Sequence, residues 1–318
     1  MPAALAGLKV GLYEHSTVAR SAMFDVLTAL GAEVVKLGFS EIFIPVDTEA
    51  IRKQDIDLAA KWVKEYKLDC IVSADGDGDR PLISDENGEF FRGDVAGVLT
   101  SWYLGADNVV TPISSNTLVE ACGKFKNVIR TKIGSPFVVK AMQDIHEQEG
   151  GVTVGYEANG GFLQHNDIVL NAKSLKALPT RDALIVPVCV MLLAKEKNVS
   201  LSALLSLLPQ RCTASDRIKN ISTERSREII NQFSSDDEKT NFVNVEKLFG
   251  TVSGSVKAIN RTDGIRITFE NNDIVHLRPS GNAPELRCYC ESDSLEKVSA
   301  ILSKVMTVII EEVGMQSS

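Results

Sequence analysis

The sequence predicts an α/β protein: two similar α/β domains followed by a small C-terminal α+β domain. Three observations carry that expectation. Short apolar runs alternate with helical periods over the first half of the chain, which implies parallel strands joined by crossover helices. The same strand–helix order restarts near residue 109, so two units of similar size follow one another. After Pro209 the character changes, first to a polar stretch and then to a meander closed by an amphipathic helix.

In chain order, residues 8–13 read as a strand, 21–30 as a helix ended by Gly31, and 33–37 as a second strand. Residues 48–66 have a helical period, and 69–74 (DCIVSA) form a short buried strand. The second unit repeats the plan, with strands at 109–112, 128–131 and 152–156 and helices at 116–125 and 136–148. Ser, Asp, Glu and Lys dominate residues 211–240. Beyond them, 252–259, 264–269 and 274–277 read as a meander with a turn at Thr262-Asp263-Gly264; residues 287–291 add a strand and 294–313 the closing helix. The predicted domains are therefore 1–88, 89–209 and 241–318, with 210–240 as linker.

The 318 residues suit two or three domains at roughly 150 residues each. With 34 basic against 42 acidic residues the net charge is −8, which weighs against a broad nucleic-acid surface. A local arginine cluster can still bind a small anion. The cysteines at 70, 122, 189, 212, 288 and 290 form no CxxC pair, and the N-terminus has no cationic segment followed by an apolar one. Reduced thiols in the cytoplasm are expected. No apolar run reaches about 18 residues, so no membrane span is expected.

The sharpest motif is Asp75-Gly76-Asp77-Gly78-Asp79-Arg80, directly after the strand DCIVSA. Three carboxylates at alternate positions converge only if the backbone turns tightly, and glycine permits that turn. Packed together they repel unless a cation sits among them, and an all-oxygen set selects Mg²⁺ or Ca²⁺. The end of a parallel strand is also where α/β sheets place ligands. The alternatives are a solvated acidic turn, a Ca²⁺ helix-loop-helix and a haloacid-dehalogenase-type phosphatase. The second would need glycine where Arg80 stands and a helix where the strand is, although Glu86 falls at loop position twelve. The third places its Asp after the first strand of its domain, and here the motif follows the third.

Two further loops carry chemistry. Arg278-Pro279-Ser280-Gly281-Asn282-Ala283-Pro284, followed by Glu285-Leu286-Arg287, lies between two predicted strands. Arg278 can fork onto a phosphate, and Ser280, Asn282 and the loop amides add donors; a structural turn is the alternative. Gly155-Tyr156-Glu157-Ala158-Asn159-Gly160-Gly161 sets a carboxylate and an amide in a glycine-rich loop, which suits sugar hydroxyls but equally suits a plain turn.

In this order the three loops resemble those of the α-D-phosphohexomutase superfamily, the phosphomannomutases and phosphoglucomutases. DGDGDR is similar to that family's metal loop, GYEANGG to its sugar-binding loop (GE-x-S-G-H), and RPSGNAPELR to its phosphate loop (RPSGTEPKLR). The likeness covers essentially the whole chain and corresponds to the family's second, third and fourth domains. It implies Mg²⁺ on Asp75, Asp77 and Asp79, with Arg80 neutralising charge on the phosphoryl group. It implies sugar reading by Glu157 and Asn159, and phosphate binding by Arg278, Ser280, Gly281, Asn282 and Arg287. Lys132, in RTKIG, matches a segment that often carries a basic residue near the reacting hydroxyl and is the expected proton-transfer group. The implied ligands are mannose and glucose 1- and 6-phosphates and hexose 1,6-bisphosphate.

The chain also departs from the pattern. Gly161 stands where many relatives have His, Asn159 replaces Ser, and Asn282-Ala283 replace Thr-Glu. Family members begin with a domain whose T-A-S-H-N-P-like loop carries a phosphorylated serine, and no such loop occurs in these 318 residues. Thr213-Ala214-Ser215-Asp216 lacks the following His-Asn-Pro and reads as linker, and His15-Ser16 reads as part of a second-domain segment. Two expectations follow: a mutase-type enzyme whose first domain comes from elsewhere, a separate N-terminal domain being one source, or a phosphosugar-binding protein without turnover.

Overall fold

Strands buried along nearly their whole length belong in a sheet covered on both faces, and two strands of the first module are buried in this way, one at four of its five residues and one at all five. In the computed structural model, which describes residues 3–281 and 283–315, the chain falls into two compact units meeting at Pro209 and Gln210. The first module runs β1 (Lys9–Tyr13), α1 (Arg20–Ala29), β2 (Glu33–Leu37), α2 (Lys53–Tyr66), β3 (Cys70–Ala74) and β4 (Pro81–Ile83). β1 pairs in parallel with β2 and β3, and β4 turns back antiparallel on β3, giving the order β2-β1-β3-β4. Every residue of β3 is buried. Each large aliphatic side chain buried this way contributes about 1.5–3 kcal/mol, so Ile71 and Val72 fix where the strand ends and Asp75 begins. α2 lays Asp55, Ala59 and Val63 on one face, four residues apart. The buried Asp55 carboxylate accepts from Arg52 and from the Tyr13 hydroxyl.

The second module has the same plan: α3 (Gly93–Tyr103), β5 (Asn108–Pro112), α4 (Leu118–Ala121), β6 (Asn127–Thr131), α5 (Ser135–Glu149), β7 (Thr153–Tyr156) and β8 (Phe162–Gln164). Its sheet order is β6-β5-β7-β8, again parallel apart from the last strand. A hairpin of β9 (Ile168–Leu170) and β10 (Lys173–Leu175) leads to α6 (Ile185–Lys197) and α7 (Leu201–Leu205). One continuous apolar core, including Val72, Leu99, Tyr156 and Val190, runs through both modules.

The C-terminal unit contains β11 (Cys212–Lys219), α8 (Thr223–Asn231), α9 (Glu238–Ser253), β12 (Val256–Asn260), β13 (Ile265–Phe269), β14 (Ile274–Pro279), β15 (Glu285–Ser292) and α10 (Leu295–Met315). Its antiparallel sheet has the order β11-β15-β14-β13-β12. Leu277, Cys288, Phe249 and Val305 are among the residues of its own core.

Two alike α/β modules and an α+β unit are the architecture the sequence predicts. Several local readings are corrected. Residues 210–240 are not linker: β11 pairs with β15 from Cys212↔Ser292 to Lys219↔Glu285, and α8 sends Ile229 and Ile230 into the core. The stretch is polar because β11 is an edge strand, where charges such as Asp216, Arg217 and Lys219 guard an open ladder. Ser215 accordingly sits on that strand, exposed. The helix expected at 116–125 is only α4, since Gly123 turns the chain with φ +62°. The helix expected at 48–66 starts at Lys53, and residues 252–253 end α9 rather than open β12.

Candidate functional site

The DGDGDR loop is a hairpin turn. Ala74 faces Pro81 across β3 and β4, and Asp75 N donates to Arg80 O at 3.0 Å. Gly78 takes φ +79°, which lets its amide reach Asp75 O. Asp75 Oδ1 accepts from the amides of Asp79 and Arg80, each at 3.1 Å. The turn brings one carboxylate oxygen from each of Asp75, Asp77 and Asp79 within 4.8 Å of one another. Asp79 Oδ1 is buried without a hydrogen-bond partner. Burial pushes the Asp75 carboxyl above its ordinary range against the pull of its backbone hydrogen bond, and the neighbouring Asp77 and Asp79 push it further up. Arg80 Nε lies 3.5 Å from Asp75 Oδ2 and 3.8 Å from Asp79 Oδ1. A crowded all-oxygen donor set with an orphaned ligand atom fits a hard divalent cation such as Mg²⁺. The helix-loop-helix and dehalogenase alternatives lose their footing, because a strand precedes the loop, a strand follows it, and the preceding strand is the third of its module.

The GYEANGG loop is built the same way on the second module, as the turn between β7 and β8. Glu157 N donates to Gly161 O at 3.0 Å and Gly160, at φ +90°, donates to Glu157 O. Asn159 Oδ1 accepts from Gly161 N, and Asn159 O accepts from the Thr48 hydroxyl at 2.7 Å. A Cβ on Gly93 would meet Gly160 N at 2.2 Å, so the start of α3 packs directly on this turn. Glu157 is buried, and burial raises its carboxyl pKa while Arg181 and Arg80 pull it down.

Sequence reasoning missed Arg181. Its Nη2 lies 2.6 Å from Asp79 Oδ2 and its Nη1 3.6 Å from Glu157 Oε2, so one guanidinium stands between the two turns. Its stem crosses Gly161, where a Cβ would meet Arg181 Cδ at 2.6 Å. Gly161, which stands where many of the family have His, thus leaves the space that the Arg181 stem occupies. Arg181 and Asp79 also line a cavity of about 490 Å³ with Ser135, Pro136 and Lys140 from the N-terminal half of α5. The only sequence signal for Arg181 was a lone arginine after Pro179-Thr180. Lys132, the expected proton-transfer group, is exposed just past β6, with Nζ 6.0 Å from the centre of the Phe137 ring; among the described residues nothing ties it to Glu157 or to the carboxylates.

In the C-terminal unit the phosphate-type loop is a third hairpin turn, between β14 and β15. Ser280 is buried and its amide donates to Glu285 O at 2.8 Å, while Gly281 is exposed. Asn282 lies outside the described residues. Arg278 Nε is 2.9 Å from Asp263 Oδ2. Arg278 stands opposite Arg287, and Arg287 opposite Arg217, so three arginines are in register across β14, β15 and β11. Directly opposed like charges destabilise a sheet. Asp263 beside Arg278, and Glu285 at 3.7 Å from Arg217 and 3.8 Å from Arg287, offset that repulsion.

His276, one step along the same face, is fully enclosed. Its Nε2 donates to Asp263 O at 2.7 Å, and Nδ1 is buried without a partner. Burial pushes its pKa from 6.5 down to about 4, with Arg266 and Arg278 acting in the same direction. The unfolded chain therefore takes up this proton before the folded one does, and stability falls as the pH drops from 6.5 towards 4. Urea titrations of the parent and of His276→Gln should show the parent losing more stability across that window; parallel curves would refute a neutral buried imidazole.

Comparison with known proteins agrees with this fold. Family models for phosphoglucomutase/phosphomannomutase match in three blocks: α/β/α domain II over residues 2–88, α/β/α domain III over 92–212 and the C-terminal domain over 231–308. A phosphomannomutase of Salmonella muenchen is 45% identical over 306 residues, which cover 96% of this chain and 62% of that protein. Among solved structures, a phosphoglucomutase/phosphomannomutase family protein from Burkholderia thailandensis has the same fold, with TM-score 0.71 and 16% identity over 95% of this chain and 60% of that one. An Aspergillus fumigatus N-acetylphosphoglucosamine mutase in complex with GlcNAc-6P and magnesium follows, with TM-score 0.60 and 14% identity over 96% of this chain and 67% of that one. The chain thus spans about three fifths of the length of the Salmonella relative. Three matched domains, in the order in which the three loops occur, make this chain a member of the phosphoglucomutase/phosphomannomutase family, the α-D-phosphohexomutase superfamily.

Proposed function

We propose that the chain supplies the metal-, sugar- and phosphate-binding parts of a phosphomannomutase-type enzyme that interconverts hexose 1-phosphate and hexose 6-phosphate in the cytoplasm. The observation that carries this reading is the convergence of Asp75, Asp77 and Asp79 on one point, with Asp79 Oδ1 buried without a hydrogen-bond partner. The 45% identity to a phosphomannomutase supports a phosphohexomutase activity on glucose or mannose phosphates, and the magnesium and GlcNAc-6P with which the Aspergillus relative is in complex support the classes of ligand.

In this reading Asp75, Asp77 and Asp79 hold Mg²⁺. Bound there, the ion would neutralise negative charge on a transferring phosphoryl group. Arg80, beside Asp75 and Asp79, adds fixed positive charge at the same place. Glu157 and Asn159 read sugar hydroxyls. Arg278, Ser280, Gly281, Asn282 and Arg287 grip the phosphate that is not being transferred. The reaction needs a serine oxygen as phosphoryl carrier: the sugar hydroxyl oxygen attacks phosphorus and gives up its proton while the serine oxygen leaves and takes one up, and Lys132 is our candidate for relaying that proton between them. The bisphosphate then turns round and returns its other phosphoryl group to the serine. That serine lies outside these 318 residues, on a family domain I.

The test is reconstitution. The chain with Mg²⁺ and a trace of glucose 1,6-bisphosphate should show no interconversion of hexose 1- and 6-phosphates, because positioning around a carrier hydroxyl supplies nearly all the catalysis. Adding domain I of the Salmonella relative should produce turnover, and fusing it ahead of Met1 should produce more, through effective concentration. Turnover by the chain alone would place a carrier within it, the exposed Ser215 being the first suspect. No turnover with either addition would favour a binding protein.

A further inference from the structure

We propose that Arg181 is a positioning residue that couples the metal loop of the first module to the sugar-reading loop of the second. The inference rests on the metal reading of residues 75–80 given above. Asp79 and Glu157 belong to separate hairpin turns on separate sheets, and one planar guanidinium stands between them, 2.6 Å from Asp79 Oδ2 and 3.6 Å from Glu157 Oε2. Each carboxylate keeps a buried oxygen without a hydrogen-bond partner, Oδ1 on Asp79 and Oε2 on Glu157. Asp79 can therefore bind an ion through one oxygen while Arg181 holds the other.

Arg181 is itself held on both sides. The next residue, Asp182, donates its amide to Phe162 O on β8, and its carboxylate accepts from the amides of Leu184 and Ile185 where α6 begins. The side-chain stem lies across Gly161, with no room there for a Cβ. An arginine fork is rigid and planar, so it transmits orientation where a lysine would swivel. An ion on Asp79 Oδ1 would fix that carboxylate, the carboxylate would fix the guanidinium, and the guanidinium would restrain Glu157. This is a contiguous chain of charged contacts between two loops, the kind of element through which coupling travels.

Amide exchange reads the coupling without turnover, because both turns contain hydrogen-bonded amides: Asp75, Gly78, Asp79 and Arg80 in one, Glu157 and Gly160 in the other. Hydrogen–deuterium exchange of the 318-residue chain is followed with and without Mn²⁺. In the parent, Mn²⁺ should slow exchange in 75–80 and also, by roughly 5-fold or more, in 157–160. In Arg181→Met it should slow 75–80 only. Gly161→Ala, which displaces the arginine stem without changing charge, should uncouple the loops in the same way and guards against an effect of misfolding in the first variant. Protection of 157–160 in Arg181→Met equal to the parent, or Mn²⁺ protection confined to 75–80 in the parent, overturns the inference while leaving the metal reading intact. Mn²⁺ protection of neither loop in the parent overturns both.

Discussion

Replacing Asp75 by alanine should abolish divalent-ion binding and loosen the hairpin of the proposed metal loop. Asp75 does two things at once. Its Oδ1 accepts from the amides of Asp79 and Arg80, closing the turn, and one of its oxygens belongs to the three-carboxylate cluster. Alanine removes the ligand and leaves two backbone donors unpaired, at about 1–3 kcal/mol each. Loss of an outer partner alone costs metal sites roughly 10–100-fold in affinity, so loss of a ligand and of the turn together should exceed that. Asp77→Asn separates the two roles, because Asp77 is exposed: affinity should fall with little change in melting temperature. Calorimetry giving equal Mg²⁺ affinity in the parent and both variants would remove the metal assignment.

Arg278→Ala should weaken binding of mannose or glucose 6-phosphate by about 1.5–3 kcal/mol, roughly 10- to 150-fold, the range for hydrogen bonds to a charged group. Arg278 is held beside Asp263 and stands in register with Arg287 at the foot of the Ser280 turn. Removing it takes away a preplaced donor without touching the core, since Leu277 and Leu286 fill the other face of the sheet. Free sugar should bind poorly to both forms, which separates phosphate recognition from sugar recognition. Equal affinity of parent and variant for the phosphosugar would reduce the loop to a turn.

How legible each part was depends on whether its signal is local. The strands CIVSA and NVVTP could be read because parallel strands buried on both faces leave an unbroken apolar run. α3 could not, because Gly93 to Ser101 is almost entirely buried and therefore has no polar stripe to give a helical period. β4 and β8 are three residues each, too short for any pattern. The stretch 210–240 looked like linker because edge strands are polar for reasons unrelated to disorder. The three site loops were legible because each is one contiguous segment whose glycines and charged groups act together. Arg181 was not, since its partners lie on two distant turns and only folding brings them within reach.

Those three loops share a construction: each is the turn of an antiparallel hairpin, β3–β4, β7–β8 and β14–β15. The two strands of such a pair stand about 4.5–5.5 Å apart at the turn, whatever residues the turn contains. Each loop is therefore a cassette with fixed sockets. The chemistry sits between two residues whose spacing the ladder dictates, as between Ala74 and Pro81. The ladder therefore sets the ends of each turn but not its neighbours: the β3–β4 and β7–β8 turns share Arg181 and would have to be exchanged together with it, whereas the β14–β15 turn belongs to a separate unit and could be exchanged alone.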